Sequence, residues 1–334
     1  MVALLVLAAV LRVAGFPVTS ALSSLFRGAV GSTDAFLSAT LVRAIPLLLI
    51  GSGLVIALRA GVINLGGDGQ LLAGAAAATA TALWLPLGGA ITLGISLIAA
   101  SVAGGLWALP PAWLKARFGT IEVVSTIMMN FVAAHVVSYL VRGPLQEPSG
   151  LYPQSPAFPA AARLPVLVEG SRLHAGIVLA ILAVAAMWLL SEHTAAGFRM
   201  RAVGSNARAA EVSGRINVRR VQWGAFLTSG ALAGLAGGVE VLGVTFALYE
   251  NLSPGYGYTA IAVALLARLA PLHVAWSAVL LGGLAAGATA MQRDAGIPAG
   301  AAAVVEATLI LAVLGGQALL IRRGGSRAAR RAGG

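Results

Sequence analysis

No cysteine occurs anywhere in the 334 residues. Disulfides, thiolate nucleophiles and cysteine metal sites are therefore excluded at the outset. Lysine is nearly as scarce. Lys115 stands alone, in Trp113-Leu114-Lys115-Ala116, so no glycine-rich loop ends in Lys-Ser/Thr to cradle phosphates. The four histidines, His135, His174, His193 and His273, have no metal-ligand spacing, and neither a zinc-protease motif nor a serine elbow is present. Charged residues make up only 10% of the chain, against about a quarter in soluble domains. The expectation is a non-enzyme with no catalytic residues, no metal and no cofactor of its own.

What is there is apolar. Hydrophobic residues make up 59%, and the mean hydropathy is +0.91. A soluble protein of this size would be left with large apolar patches on its surface. A bilayer removes that difficulty, because each crossing uses roughly 20 apolar residues. The 42 glycines and abundant alanine let helix backbones approach closely in lipid. The fold class read from this is an all-α integral membrane protein in contact with membrane lipid.

The net charge of +11 would suggest nucleic acid in a soluble protein. Here the positions of the charges argue otherwise. Arg199, Arg201, Arg208, Arg215, Arg219 and Arg220 lie in one polar stretch near Glu211. Arg322, Arg323, Arg327, Arg330 and Arg331 supply the charge of the last stretch. Basic clusters beside apolar spans are the mark of cytoplasmic segments, so no nucleic-acid partner is expected.

The apolar runs predict about ten spans, some short or broken: 2–16, 39–58, 70–86, 88–109, 121–141, 174–190, 223–243, 256–268, 272–290 and 299–321. The first lacks a basic lead-in and a small-residue cleavage site, so it reads as an uncleaved span. Pro110-Pro111 is expected to end the fourth, leaving Lys115 and Arg117 in a short basic loop. Segment 142–173 is proline-rich with nearly balanced charge, whereas 191–222 is strongly basic. Placing 191–222 inside puts 142–173 outside, Lys115 and Arg117 inside, and both termini in the cytoplasm. The chain then reads as a single transmembrane domain over 1–321 with a basic cytoplasmic tail, 322–334. Two interruptions, 61–69 and 250–257, break hydrophobic runs with glycine and polar groups. Such backbone is tolerated at membrane depth only where protein buries it or water fills a cavity, and paired breaks fit the repeat logic of transporters.

Several motifs carry a resemblance. Gly61-Val62-Ile63-Asn64-Leu65-Gly66-Gly67-Asp68-Gly69-Gln70 resembles G-x-x-N-[IL]-G-x-[ED]-G-Q of the ABC-importer permeases for nucleosides and simple sugars. The stretch Leu114 to Asn130 is similar to the same family. So are Gly197-Phe198-Arg199-Met200-Arg201-Ala202-Val203-Gly204-Ser205-Asn206 with Ala209-Ala210, Ile261 to Arg268 with Pro271, and Met291-Gln292-Arg293 with Gly296-Ile297-Pro298. These run in the family's order over about 35–320. Two departures stand out: Arg215 lies between Gly214 and Ile216, and the first span is short.

The resemblance implies an inner-membrane, multi-pass permease subunit that works without catalysis. A second permease, usually a paralogue, would complete the pathway. A cytoplasmic ABC ATPase dimer would grip 191–222, and an external solute-binding lipoprotein would deliver the solute. It assigns coupling to Gly197, Gly204, Asn206, Ala209, Ala210, Glu211 and Gly214. Ser205 or Asn206 is a plausible N-cap for a short helix there. Candidates for the solute pathway are Asn64, Asp68, Gln70, Asn130, Glu240 and Glu306. Each has a plainer alternative. Asp68 is a turn residue among glycines, Asn64 and Gln70 bond freed backbone, and Asn130 bridges helices. Glu122 is expected to cap the fifth span through the helix dipole, and His135 to be a packed imidazole. The rivals are an ion-coupled secondary transporter, using Asp68, Glu240 or Glu306 as coupling carboxylates, and a channel.

Overall fold

The computed structural model describes residues 15–85, 87–214 and 216–298, together with 12, 300, 301, 303, 304, 307, 308, 310–312 and 315. Among the described residues the regular elements are all helices, with β pairing limited to the isolated bridges Gln154–Tyr249 and Val166–His174. Among the described residues, six helical stretches are long and apolar enough to cross a membrane: Ala35–Arg59, Gly89–Phe118, Glu122–Val141, Gly176–His193, Val218–Thr245 and His273–Asp294. The expected spans 2–16 and 299–321 fall largely outside the described residues, and Glu306 and the tail 322–334 fall outside them entirely.

The described residues fall into two compact units, one within 1–44 and 279–334 and the other within 45–278. In the first, helix α1 (Val18–Val30) buries Ala21, Ser24, Leu25 and Ala29. The sequence reading assigned no helix there, because Ser, Thr and Arg interrupt the apolar run. The buried positions nevertheless recur at helical spacing, which is the signal that counts. They pack with Met291 and Ile297, and Thr40 donates to the Ala29 carbonyl at 2.6 Å.

In the second unit, helix α2 (Val42–Arg59), whose first three residues belong to the first unit, is almost wholly buried. It is followed by α3 (Gly67–Trp84) and α4 (Gly89–Trp107). A short α5 (Leu109–Phe118) and then α6 (Glu122–Val141), α7 (Gly176–His193), α8 (Ala195–Ser205) and α9 (Ala207–Gly214) come next. The long α10 (Val218–Glu240) precedes α11 (Tyr256–Leu266) and α12 (His273–Asp294), whose latter part belongs to the first unit. Helices α3, α4 and α10 meet backbone to backbone. A Cβ on Gly104 would land on the Gly230 carbonyl and on Gly234, one on Gly74 would land on Gly234, and one on Gly237 would land on the Leu71 carbonyl. Gly230 and Gly234 form the small-xxx-small spacing that brings membrane helices together. Outward, α4 exposes Ile91, Ile98, Val102 and Leu106, and α7 exposes Ile181, Leu182 and Leu189. Such stripes would be a liability in water and suit hydrocarbon.

Three further expectations need correction. Pro110-Pro111 does not open a loop. The chain bends at Ala108 and resumes as α5, with the prolines in the first turn, where no intrahelical N–H is required. Lys115 and Arg117 therefore sit on a helix, which ends at Gly119 in the left-handed conformation, φ 67°. The basic stretch 191–222 is mostly helical rather than loop. Glu122 does stand in the first turn of α6, where the dipole favours an anion, but its side chain makes no capping hydrogen bond. Ile121 holds the cap position without a side-chain bond, and the Glu122 carboxylate reaches instead to Lys115 Nζ at 2.5 Å and the Ile63 N–H at 3.3 Å.

Segment 142–173 is ordered against the stretch after α10. Ser155, Phe158 and Leu164 donate backbone N–H groups to the carbonyls of Leu248, Phe246 and Leu242 at 2.8–2.9 Å. Phe158 is fully buried, and the Arg163 guanidinium lies 4.5 Å from the centroid of the Phe246 ring.

Candidate functional site

Both interruptions foreseen in the sequence exist, and they converge. The chain leaves α2 through Gly61, at φ 71°, and becomes helical again only at Gly67. The second break ends at Gly255, φ 94°, where α11 begins. The two helix starts touch. A Cβ on Gly67 would lie 3.1 Å from Gly257 Cα, and one on Gly257 would overlap the Asp68 backbone. Only glycines allow that approach.

Asp68 lies at the meeting point, in the first turn of α3 and 7% exposed. It is a helical residue, not a turn residue. Its Oδ1 accepts from Ser253 Oγ at 2.5 Å and from the Gly257 N–H at 3.1 Å. Ser253 Oγ also accepts from the N–H groups of Gly255 and Tyr256, each at 3.2 Å, so it caps the start of α11. Both helix starts present partial positive charge, which explains a carboxylate at this depth. Asp68 Oδ2 is buried without a hydrogen-bond partner.

Asn130, on α6, completes the clasp. Its Oδ1 accepts from the Gly69 N–H at 2.8 Å, and its Nδ2 donates to the Leu65 carbonyl at 2.9 Å and to Tyr258 Oη at 3.1 Å. The side chain satisfies backbone freed by the break and ties three helices. Asp68, Asn130, Ser253 and Tyr258 line a cavity of about 480 Å³ that also takes in Phe131 and His135. His135 is exposed rather than packed.

Asn64 and Gln70 are nearly solvent-free and belong to a closed amide pair. Asn64 Nδ2 donates to Gln70 Oε1 at 2.9 Å and to Ser229 Oγ at 3.0 Å, and Gln70 Nε2 returns a bond to Asn64 Oδ1 at 3.1 Å. They hold the shape of the break and are not among the cavity's lining residues. Glu240 is buried at the end of α10, also away from the lining. Its charge, together with burial, raises the Tyr249 hydroxyl above its ordinary pKa, burial being the larger cause.

At the rim, Glu250 accepts from Arg142 Nε at 2.7 Å and Nη2 at 3.0 Å, and from Ser138 Oγ. The Arg142 hydrogen bonds, with Ser138 second, pull its carboxyl down to about 2. This pair closes the end of α6 onto the second break, and the sequence reading missed it. An acid at the start of the second break and an arginine directly after the 121–141 span were the available signal.

Against the C-terminal end of α2, helices α8 and α9 form a shelf. Thr194 caps α8, its Oγ1 accepting from the Gly197 N–H at 3.2 Å. Asn206 caps α9, its Oδ1 accepting from the Ala209 N–H at 3.0 Å. A Cβ on Gly197 would strike the carbonyls of Leu190 and Ser191, and one on Gly204 would strike the Arg59 carbonyl. The shelf is thus seated on the last turn of α2 and the Gly61 bend. Ala210 is buried, while Ala209 and Glu211 are exposed and Gly214 ends α9. Phe198 and Val212 also stand out from the shelf, 63% and 77% exposed.

A charge cluster missed in the sequence secures it. Glu192 pairs with Arg59 through one oxygen and lies 3.5 Å from Arg201 through the other. Arg59 Nε also donates to the Leu269 carbonyl at 2.6 Å, just beyond α11. One arginine therefore links α2, the root of the shelf and the exit of α11. The entrance of α11 carries Ser253 and Gly257, which hold Asp68.

The family described as branched-chain amino acid transport system / permease component matches residues 36–324. A glucose ABC transporter permease protein of Haloferax volcanii is 38% identical over 285 residues, 82% of this chain and 75% of its own. A guanosine ABC transporter permease protein of Bacillus subtilis is 38% identical over 319 residues, 93% of this chain and 90% of its own. A nucleoside ABC transporter permease protein of Lactococcus lactis is 31% identical over 296 residues, covering 86% and 80%. No solved structure matches. A multi-pass helical bundle, its two glycine-marked breaks and a family match over most of its length lead to one conclusion: the chain belongs to the branched-chain amino acid transport system permease components, the membrane-spanning subunits of ABC transporters.

Proposed function

We propose that this chain forms the solute pathway of an inner-membrane importer for nucleosides or related simple sugars. The observation that carries the reading is the convergence of two broken helix starts on Asp68, inside a cavity of about 480 Å³. That volume lies in the range of small-molecule sites. Helix starts meeting in a cavity would otherwise favour an anionic solute. Here a carboxylate already occupies the focus, so the site favours a neutral, hydroxyl-rich solute. Asp68 and Asn130 contact it through hydrogen bonds, with Phe131 and Tyr258 beside the ring of a base or sugar. Asn64 and Gln70 serve by holding the break, and Glu240 and Glu306 are candidates further along the pathway.

Power comes from a separate ATPase dimer gripping the shelf within 191–222. Gly197 and Gly204 seat the shelf, Asn206 starts its outer helix, and Ala209, Ala210, Glu211 and Gly214 belong to the docking helix. Movement of the shelf reaches the cavity through Arg59, the Leu269 carbonyl and α11. A paralogous second permease completes the channel, and a lipoprotein delivers solute from the side of 142–173. In this reading the domain covers 1–321 with about ten spans, both termini are cytoplasmic, and 322–334 forms a basic tail there.

The test is reconstitution of the chain with its ATPase, second permease and binding lipoprotein in proteoliposomes. Uptake of labelled guanosine or ribose is expected only with ATP inside the ATPase compartment. Uptake without ATP, abolished by a protonophore, would overturn the reading in favour of ion-coupled transport through Asp68. Nucleotide-independent conductance would overturn it in favour of a channel.

A further inference from the structure

A second concavity, of about 620 Å³, lies between α5 and the first turns of α10, separate from the cavity at Asp68. Arg117, Arg219 and Arg220 line it together with Trp113 and Trp223. Leu227, also in the lining, lies about two turns further along α10 than Arg219 and Arg220. All three arginines are exposed. Among the described residues no acid lines the groove, and none stands in the first turn of α10. Among the described residues none of the three is joined to a carboxylate. The Arg117 guanidinium rests 5.6 Å from the Phe118 ring centroid, and Trp113 meets the same ring edge-on at 5.5 Å. The aromatic cluster fixes the side of the groove that faces α5.

We infer that this groove binds the headgroup and first acyl carbons of an anionic phospholipid. The geometry requires an occupant that is anionic at one end and hydrocarbon along the other. From Arg219 to Leu227 the helix rises about 12 Å at ~1.5 Å per residue, passing from charge into a stretch apolar enough to lie in the bilayer. A soluble acidic protein could meet the arginines but could not follow the groove to Leu227. A free phosphate would leave the tryptophans and Leu227 without a role. Tryptophan at this level is the residue of the lipid–water boundary, and basic pockets between membrane helices are suited to anionic headgroups. The inference does not depend on which solute the cavity carries.

The test uses the purified full-length chain, with phosphatidylglycerol and phosphatidylcholine of identical acyl chains, read by native mass spectrometry. Phosphatidylglycerol is expected to stay bound and phosphatidylcholine to be lost. Each arginine neutralised in R117Q, R219Q and R220Q is expected to weaken retention by roughly fivefold. The matching Arg→Lys variants should keep most of it. Should the glutamine variants fail to insert, tryptophan quenching replaces them. Brominated phosphatidylglycerol should quench the native chain more than brominated phosphatidylcholine, and W113F/W223F should abolish that difference. Equal retention or equal quenching by the two lipids overturns the inference. So does displacement of the lipid by soluble glycerol phosphate. Loss of ATPase co-purification in R219Q/R220Q with lipid occupancy unchanged also overturns it and assigns the arginines to that partner.

Discussion

Asp68→Asn is the most informative single substitution, because it removes charge and keeps shape. The Asn Oδ1 can still accept from Ser253 Oγ and the Gly257 N–H, now 2.5 and 3.1 Å from the carboxylate. Two bonds to a charged group become neutral bonds, a loss of about 1 kcal/mol each. The two helix starts also lose their counter-charge, worth roughly 0.3–1 kcal/mol apiece. Against this, a buried carboxylate oxygen with no partner no longer has to be kept out of water. The terms oppose each other, and the net change in stability should be small, about 1–2 kcal/mol. The effect on the solute is not offset in this way. An oxygen able to accept a hydroxyl is replaced by an NH2 that cannot, and a hydrogen bond to a charged group is worth about 1.5–3 kcal/mol. The Michaelis constant for labelled guanosine or ribose in ATP-loaded proteoliposomes should rise roughly tenfold to hundredfold, while the variant still inserts and keeps its basal ATPase rate. An unchanged Michaelis constant for both solutes would refute the assignment of Asp68 to the solute.

Other consequences can be checked alongside. In Gly204→Val the new side chain meets the Arg59 carbonyl. The shelf should be displaced at about 1–3 kcal/mol, and solute stimulation of ATP hydrolysis should vanish; stimulation at the native level would refute the seating. His174 is buried, with Nδ1 accepting from the Gly176 N–H at 3.2 Å. Burial, with a smaller effect of Arg172, depresses it from 6.5 to about 4. The unfolded segment gains the proton first, so segment 142–173 should lose up to about 3 kcal/mol of stability as pH falls from 6.5 to 4. Hydrogen exchange should follow this loss, and His174→Gln should flatten it. At the rim, Glu250 is depressed to about 2. Its contribution is therefore complete above the ordinary glutamate range and is lost only as pH falls towards 2. Arg142→Glu and Glu250→Arg should each slow uptake, and the two together should restore it; an additive loss in the double variant would argue against a direct pair.

How far the fold could be read depended on what each feature requires. Breaks at 61–69 and 250–257 were legible, because glycine and polar residues inside an apolar run have a local cause. Their meeting was not legible, since Gly67 and Gly257 are joined only by the packing of α3 against α11. For the same reason Asn130 was recognised as a bridging amide, while its partner Tyr258 was not. Asn206 as a cap was legible from residue type and position. Arg59 and Glu192 were passed over because each stands at the end of an apolar run, where a lone charge reads as a topology signal. Helix α1 was missed because its face is small and partly polar, so an apolar count fails where spacing succeeds.

The glycine contacts among α3, α4 and α10 have a consequence for motion. Where Gly74, Gly104, Gly230, Gly234 and Gly237 set backbone against backbone, these three helices have little to repack when the surroundings shift, and sliding there would drive carbonyls into one another. They should travel as a single rigid block. Alternation between the two faces of the membrane then falls to α6 and α11, which grip that block by hydrogen bonds that can be exchanged one at a time. The stiffest part of the protein would thus be the axle, with the solute handled at its edge.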